Sequence, residues 1–306
     1  MLRRIITIII LMGMQTAAFS QLLPVLDQYW LNGLAINPAY AGSQEALSIG
    51  LDARTQWVGF EGAPKTFTFS LHSPLRNKRI ALGILVMNDR IGSRNETGFM
   101  FNYAYRIGIG AGKLSFGLAA GLSHLSTNMD MVRYTDPGDG VILNSQDKAL
   151  LPEFSFGVYY YSEKYYVGFS MPTFLKHPLN EANGKYKISF DPLATNYLLT
   201  AGYLFKLSDN FKLLPSMLFQ TNPANQTQLD LNCSVIFQEK VWLGTSFRTN
   251  SSMSVLFQFQ ASKQFRIAYS YGFEFSELSN YQKGSHEVML IYNFKYKLDV
   301  FSPRFF

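Results

Sequence analysis

Four histidines are the side chains in this sequence best suited to acid–base chemistry near neutral pH. Two of them stand beside a residue that could share a proton: His72 precedes Ser73, and His286 precedes Glu287. Catalysis by such a pair needs both side chains to converge on one point. Both pairs lie in stretches that predict β-strands, where adjacent residues point to opposite faces, so we expect neither pair to act together. The other two histidines lie in no recognisable catalytic motif, namely His124 and His177.

Other signatures of catalytic or metal sites are missing from the sequence. It contains no HExxH, no GxSxG and no glycine-rich phosphate loop. The run GIGAG at 108–112 lacks the following helix that a dinucleotide site requires. Cys233 is the single cysteine, which predicts no disulfide, no thiolate metal site and a buried or lipid-facing apolar role. The sequence therefore predicts a protein that is not an enzyme and holds no metal or cofactor.

The composition is apolar for a protein without long hydrophobic helices. Hydrophobic residues make up 47%, aromatic residues 15% and charged residues only 16%, against about 25% charged residues in ordinary globular domains. The formal charge is +6, and it falls to +4 when Arg3 and Arg4 are left out. No basic cluster appears, which makes nucleic acid an unfavourable partner.

The first twenty residues have the pattern of a cleaved export signal. Arg3 and Arg4 precede an apolar run at 5–14, and Ala18 and Ser20 supply the small residues of a cleavage site. The run is shorter than the about 20 apolar residues that a spanning helix needs, which favours a signal over an uncleaved anchor. We expect export and a mature chain that starts near Gln21.

The rest of the chain alternates with a period of two residues. Around Gln228, for example, Leu229 and Leu231 alternate with Asp230 and Asn232. Such alternation predicts strands with one apolar and one polar face. Fourteen segments have this character, with boundaries uncertain by about two to four residues: 45–54, 65–73, 79–88, 96–107, 112–124, 152–161, 164–171, 194–207, 211–220, 226–237, 239–248, 252–260, 264–275 and 285–294.

The connections and the aromatic residues favour a membrane barrel over a large soluble β-sandwich. Connections after even-numbered segments are mostly tight, whereas several after odd-numbered segments are long, above all 125–151 and 172–193. Bacterial outer-membrane barrels have short periplasmic turns and longer external loops, with aromatic girdles at both interfaces. Aromatic residues cluster where the segments end, as at 159–161 and 165–166. The prediction is an all-β, antiparallel, up-and-down transmembrane barrel of about 14 strands in the bacterial outer membrane.

Polar faces that look into such a barrel carry charges of both signs. They form either a solvated or paired network or a path for ions or substrates, and the sequence leaves both open. The predicted lumen charges are Asp52, Arg54, Arg106, Asp230, Arg248, Arg266 and Glu274.

A barrel of fourteen strands is wide enough to leave a hole unless something fills it. The apolar segment 21–44 is the candidate plug, between the signal at 1–20 and the barrel at 45–294, and 295–306 is a periplasmic tail. We expect Asn37 and Pro38 to end the plug, with Tyr40 packed on the inner wall.

Five motifs in order resemble one known family. They are QYWLNGLAINPAYAGS, QWVGFEGAPKTFTFSLHSPL, NDRIGSRNETG, SHEVMLIYNF and the terminal SPRFF. By these the chain resembles the PorP/SprF family of outer-membrane proteins of the type IX secretion system in Bacteroidetes, over essentially the whole mature length. The hallmark positions are Asn37, Pro38, Ala39, Tyr40, Ala41, Gly42, Gln56, Trp57, Val58, Gly59, Phe60, Gly62, Ala63, Pro64, Lys65, Asn88, Asp89, Ile91 and Gly92.

This resemblance implies a role in type IX protein secretion. The implied partners are outer-membrane lipid, translocon components, periplasmic peptidoglycan-binding or ring proteins, and the C-terminal sorting domain of a secreted adhesin of the gliding type. The short NPA segment before the first strand is also similar to the plugged fatty-acid transporters of the FadL type. That similarity keeps a channel for hydrophobic small molecules as the alternative function.

Overall fold

Fourteen antiparallel strands form a closed barrel in the computed structural model. The structure describes residues 26–128, 148–177, 179–180, 185–193, 195–223, 226–249, 252–275 and 277–294. The strands are β1 (Leu47–Thr55), β2 (Lys65–Pro74), β3 (Ile80–Ile91), β4 (Arg94–Ile109), β5 (Gly112–Thr127), β6 (Lys148–Tyr161), β7 (Tyr165–Met171), β8 (Tyr197–Tyr203), β9 (Phe211–Asn222), β10 (Gln226–Phe237), β11 (Val241–Arg248), β12 (Ser252–Gln260), β13 (Phe265–Glu274) and β14 (Ser285–Phe294).

Each strand pairs with its neighbours in the sequence, and the first pairs with the last. β1 runs against β14 from Leu47 opposite Phe294 to Thr55 opposite His286. The closure leaves no edge strand, which satisfies the backbone hydrogen bonds without water. The predicted barrel and its strand number are confirmed. Within the described residues, the chain has no helix of sufficient length and apolarity to span a membrane.

The strands differ from the predicted segments mainly in length. β5 and β6 continue past the predicted ends to Thr127 and Lys148, because their extensions pair with each other. The segment predicted at 194–207 is interrupted at Leu204, whose N–H donates to the carbonyl of Lys164 in the turn before β7.

Short elements complete the described chain. The two residues Phe205–Lys206 pair only with β9. A small hairpin joins Leu179–Asn180 to Lys185–Tyr186 in the connection after β7. A 3₁₀ turn, Glu277–Tyr281, lies in the connection before β14.

Burial alternates along the strands as a membrane barrel requires. In β12, Met253, Val255 and Phe257 are exposed on the outside, whereas Ser254 and Gln258 are buried inside. Cys233 lies on the exposed face of β10. The outer surface is therefore an apolar band and the lumen is polar, which is the reverse of a soluble barrel.

The two ends of the barrel are assigned by their turns. β1 begins and β14 ends at the same end, where tight turns join even-numbered strands to the next, as at 110–111 and 162–164. We call this end periplasmic and the opposite end external. The predicted signal at 1–20 and tail at 295–306 lie outside the described residues.

Candidate functional sites in the lumen and at the external rim

The chain before β1 lies inside the barrel. We call residues 26–46 the inner segment, and every residue of it except Ala35 is buried. It contains two 3₁₀ turns, Gly33–Ala35 and Pro38–Tyr40. Residues of this short segment contact strands on all sides of the wall. The inner segment therefore extends across the lumen.

An ionic cluster holds the start of the inner segment in the external half of the lumen. Arg54 Nη1 lies 2.9 Å from Asp27 Oδ1 and 3.3 Å from Glu287 Oε2. Arg248 Nη2 lies 3.4 Å from Asp27 Oδ1 and 2.9 Å from Asp230 Oδ2. Asp27 therefore joins two arginines that the barrel wall presents from β1 and β11.

Backbone and hydroxyl groups complete the contacts of this cluster. The backbone N–H groups of Asp27 and Gln28 donate to the carboxylate of Glu287 at 2.8 and 3.2 Å. Ser254 Oγ donates to Asp27 Oδ2 at 2.9 Å. Burial alone would raise the pKa of Asp27, but Arg54, Arg248 and the Ser254 hydroxyl outweigh it and hold that pKa below its usual value. The Asp27 carboxyl is thus kept ionised at the centre of the cluster.

A patch of small residues on β5, β6 and β7 receives the middle of the inner segment. Asn37 Nδ2 donates to the backbone carbonyls of Val158 and Phe169 at 3.1 and 3.2 Å, and Asn37 Oδ1 accepts from the Ala39 N–H at 2.9 Å. Gly117 and Gly157 face each other across β5 and β6. A Cβ on Gly117 would overlap the backbone of Ala39, and one on Gly157 would overlap the side chain of Asn37.

Tyr40 packs against the inner wall near the periplasmic end. Its ring centroid lies 5.4 Å from that of His72 and 5.8 Å from that of Tyr159, both in edge-on geometry. Gln44 Nε2 donates to the Tyr40 hydroxyl at 2.8 Å. The Gly42 N–H donates to His72 Nδ1 at 3.1 Å, so His72 acts as an acceptor that fixes the inner segment.

The inner segment continues beyond the predicted end of the plug. Arg106 Nη1 donates to the carbonyl oxygen of Gly42, and Lys113 pairs with Glu45. β1 begins only at Leu47. Asn37 and Pro38 therefore lie in the middle of the segment rather than at its end, because the chain must still return to the periplasmic end before it can enter the wall.

The remaining predicted lumen charges occupy inward positions of their strands. Asp52 is buried, and neither of its carboxyl oxygens has a hydrogen-bond partner among the described residues. The guanidinium of Arg266 stacks 4.2 Å above the ring of Trp242. Glu274 accepts a hydrogen bond from Trp57 Nε1 at 3.1 Å. The network is thus largely paired, and two of its central members, Asp27 and Glu287, were absent from the predicted set.

The histidine pairs separate as the strand geometry predicts. His286 Nδ1 lies 2.7 Å from the Tyr269 hydroxyl on the outer face, whereas Glu287 lies in the lumen. Ser73 Oγ donates to the carbonyl oxygen of Pro74 and not to His72. Neither pair forms a proton-transfer unit.

The loop after β1 forms the second region of interest, at the external rim. We call residues 56–64 the rim loop. On one side the Val58 N–H donates to the Gly284 carbonyl at 2.8 Å, and the Lys283 N–H donates to the Val58 carbonyl at 2.7 Å. On the other side the Gly92 N–H donates to the Gly62 carbonyl at 2.9 Å. The loop is therefore tied to both neighbouring connections, and its sequence motif meets the motif at 88–92.

Individual motif residues have distinct roles at this rim. The Gln56 N–H donates to the Pro64 carbonyl at 3.0 Å and closes the base of the rim loop. Asn88 Nδ2 donates to Thr97 Oγ1 at 2.8 Å on the outer face, and Asp89 Oδ1 accepts from Thr66 Oγ1 at 2.6 Å on the inner face.

Some motif positions stay open to solvent. Phe60 is 43% exposed at the tip of the rim loop. The exposed motif positions are Gly59, Phe60, Gly62 and Lys65, and the half-exposed ones are Gln56, Trp57, Val58, Ala63, Asn88, Asp89, Ile91 and Gly92.

A cavity of about 170 Å³ lies in the external half of the lumen, beside the inner segment. Ala35 forms part of its lining, together with Leu85 and Met87. Three carboxylates also line it, at Asp89, Glu96 and Glu153. Of these, Glu96 Oε1 accepts from Ser123 Oγ at 2.7 Å, and Glu153 Oε1 lies 3.1 Å from His177 Nε2.

Comparisons with known proteins support a membrane role. The family model described as "Type IX secretion system membrane protein PorP/SprF" matches residues 18–292. A comparison with curated protein sequences gives no match.

Among solved structures, the CymD monoaromatic hydrocarbon channel is similar with a TM-score of 0.52 and 16% identity, over 87% of this chain and 94% of the channel. The outer membrane protein Omp33 of Acinetobacter baumannii gives a TM-score of 0.47 at 7% identity, over 82% of this chain and 100% of Omp33. At these identities the similarity concerns the fold alone.

Proposed function

The chain belongs to the PorP/SprF family of type IX secretion system membrane proteins, and from this premise we propose that it is a non-enzymatic outer-membrane component of type IX secretion. In this proposal it works by holding protein partners at its rims. The secreted partner is the C-terminal sorting domain of a surface adhesin at the external rim, and the machinery partner is a translocon, ring or peptidoglycan-linked protein at the periplasmic rim.

The occupied lumen is the observation that carries the proposal. The inner segment binds Glu287 and Arg54 on one side of the wall and Val158 and Phe169 on another. A protein substrate would have to displace these contacts to pass through the barrel. Docking at the rims requires no such displacement.

The rims offer suitable surfaces for docking. Phe60 presents an aromatic side chain externally on a loop that is held on both sides, and exposed aromatic anchors are typical of interface centres. The periplasmic turn between β2 and β3 presents three exposed cations, Arg76, Lys78 and Arg79. A basic turn of this kind suits an acidic periplasmic partner.

Site-specific cross-linking in cells tests the proposal directly. A photo-reactive residue at Phe60 is expected to capture a secreted adhesin, and one at Lys78 a periplasmic component of the secretion machinery. The same residue at Phe257, on the lipid-facing side of β12, is the matched control and is expected to capture neither. Wild-type levels of surface adhesins after deletion of the gene would refute the proposed role.

A channel for hydrophobic small molecules is the second candidate, and the cavity beside Ala35 favours it. That cavity has an apolar part at Leu85, Met87 and Met100. Its three carboxylates are a poor match to a hydrocarbon, because an apolar ligand would bury them without a partner. Uptake of an apolar ligand by liposomes that contain the protein, with loss of uptake on substitution of Met87, would support the channel over the docking role.

A further inference from the structure

A cleft opens on the outer wall of the barrel, beneath the rim loop. Its volume is about 410 Å³, and its lining combines the rim loop with Thr55, Lys65 and Arg90. A volume of this size lies within the range of about 300–1,000 Å³ that is typical of ligand sites. The cleft is separate from the lumen. It shares Phe60 with the docking surface proposed above, whereas Lys65 and Arg90 are not part of that surface.

The two cations of the cleft point away from the lumen. Thr66 and Asp89 are hydrogen-bonded to each other on the inner face. Because adjacent strand residues point to opposite faces, Lys65 and Arg90 occupy outward positions. Lys65 and Arg90 are direct partners in the register of β2 and β3, and both are exposed. The cleft thus carries two adjacent positive charges on the side that faces the membrane.

Adjacent like charges are unfavourable unless an anion lies between them. Side chains directly opposite in a strand pair are about 4.5–5.5 Å apart at Cβ, and like charges at this distance are destabilising. Among the described residues, neither Lys65 nor Arg90 forms an ion pair. Glu61 also lines the cleft but forms no ion pair with either cation in the described part of the chain. The pair is therefore available to an external anion.

The position of the cleft relative to the exposed apolar side chains indicates which layer of the membrane lies beside it. Phe67, two residues below Lys65 on the same face of β2, is 47% exposed, and Phe99 on β4 is 49% exposed. These side chains belong to the apolar band that contacts lipid tails. The cations lie directly above it at the external end, which is the headgroup level of the outer leaflet.

We propose that this cleft binds the phosphorylated headgroup of an outer-leaflet glycolipid of the lipid A class. Arg90 supplies a planar fork and Lys65 a compact charge, and both are suited to phosphate oxygens. The polar backbone of the rim loop faces the sugar, and Phe67 contacts the start of an acyl chain. An acidic protein partner fits less well, because the cations face sideways into the lipid and not upwards to solvent.

Native mass spectrometry of the intact barrel in mild detergent tests the proposal. The purified protein is titrated with bisphosphorylated lipid A, and the fraction that retains one lipid is measured. For the double variant Lys65→Gln/Arg90→Gln we expect affinity to fall about tenfold, as the loss of two charge-assisted contacts predicts. The matched control Lys240→Gln/Lys263→Gln removes the same charge from exposed positions at the periplasmic end and is expected to bind as the wild type does.

Two further arms make the outcome decisive. The charge-preserving variant Lys65→Arg/Arg90→Lys is expected to retain binding, which separates loss of charge from misfolding. Dephosphorylated lipid A is expected to bind as weakly to the wild type as the bisphosphorylated form binds to the double glutamine variant. Equal binding by wild type and double glutamine variant would overturn the proposal. So would equal occupancy by phosphatidylglycerol, which would identify a general site for anionic lipids.

Discussion

Two motif regions of similar composition have opposite fates in this molecule. The NPAYAG run at 37–42 and the rim loop at 56–64 are both short and contain glycine, proline and aromatic residues, with Tyr40 in the first and Trp57 and Phe60 in the second. In the first, every side chain is buried and Tyr40 packs between His72 and Tyr159. In the second, Phe60 is exposed beside an open cleft. Similar residue types therefore fill the lumen in one place and form an exposed surface in the other.

The difference arises from what surrounds each run. The wall opposite 37–42 has glycines at Gly117 and Gly157, so that the inner segment approaches the strand backbones closely. The rim loop is fixed by backbone hydrogen bonds to Gly284, Lys283 and Gly92 and by the bond from Trp57 Nε1 to Glu274, and none of these uses the Phe60 side chain. These contacts leave the Phe60 side chain exposed, whereas close packing against the wall buries every residue of 37–42.

Truncation of the two aromatic side chains should show the contrast most strongly. We expect Tyr40→Ala to lower the free energy of unfolding by about 3–5 kcal/mol, because it removes a buried aromatic ring. Phe60→Ala is expected to change it by less than about 0.5 kcal/mol, because the residue is exposed at the loop tip and leaves no cavity in a core. Thermal unfolding of the purified barrel, followed by its heat-dependent migration on gels, measures both. Comparable losses in the two variants would contradict the contrast.

A larger side chain on the wall should destabilise the packing of the inner segment without any change in that segment's own sequence. The new side chain of Gly157→Val overlaps that of Asn37, so we expect a loss of about 1–3 kcal/mol. Displacement of the inner segment should also raise ion conductance in planar bilayers. Gly108→Ala is the matched control, because a Cβ there meets nothing within 4 Å. An unchanged conductance of Gly157→Val would show that the inner segment does not limit the pore.

The Trp57 side chain ties the rim loop to the wall through a partly buried hydrogen bond, and loss of this bond should have a smaller effect. Trp57→Phe keeps an aromatic ring but loses the hydrogen bond from Nε1 to Glu274, with an expected loss of about 1 kcal/mol. Amide hydrogen exchange should speed up at 57–63 and stay unchanged at 37–42. Faster exchange in both regions would mean that they are coupled.

Acid should loosen the start of the inner segment, with the smallest effect of the four. Since the folded protein lowers the pKa of Asp27, its ionisation stabilises the native state above the unfolded-state pKa. This stabilisation is lost as pH falls through the lowered folded-state pKa. Hydrogen exchange at 27–31 should therefore increase at acidic pH, and Asp27→Asn should remove that part of the pH dependence. A pH dependence that persists in Asp27→Asn would assign it to other carboxyls.

Alternation was sufficient to predict the wall of the barrel but not its contents. Strand β10 matches the predicted segment 226–237 at both ends, because its period-two pattern is fixed by lipid on one face and the lumen on the other. The width of the barrel also predicted that something would enter the lumen. The path of the inner segment was not predictable, because its contacts join residues as distant as Asp27 and Glu287, 260 positions apart.

The residues whose roles the sequence could not predict are those that meet a distant part of the chain. Asp27 precedes the alternating pattern and so was not counted among the lumen charges. Gly117 and Gly157 lie within strands, and nothing in the neighbouring sequence indicates that another backbone approaches them. At the rim, spacing alone could not show that Gly62 meets Gly92, because strand pairing brings them together.

The contacts of Asp27 have a consequence for how the barrel is made. Arg54 belongs to the first strand and Glu287 to the last, and these two strands form the seam at which the cylinder closes. The residue that joins them is synthesised before either strand, so it must wait for nearly the whole chain before its second partner arrives. Contacts of such long range are slow to form. We therefore expect the contacts of the inner segment with Arg54 and Glu287 to be completed only when the last strand pairs with the first.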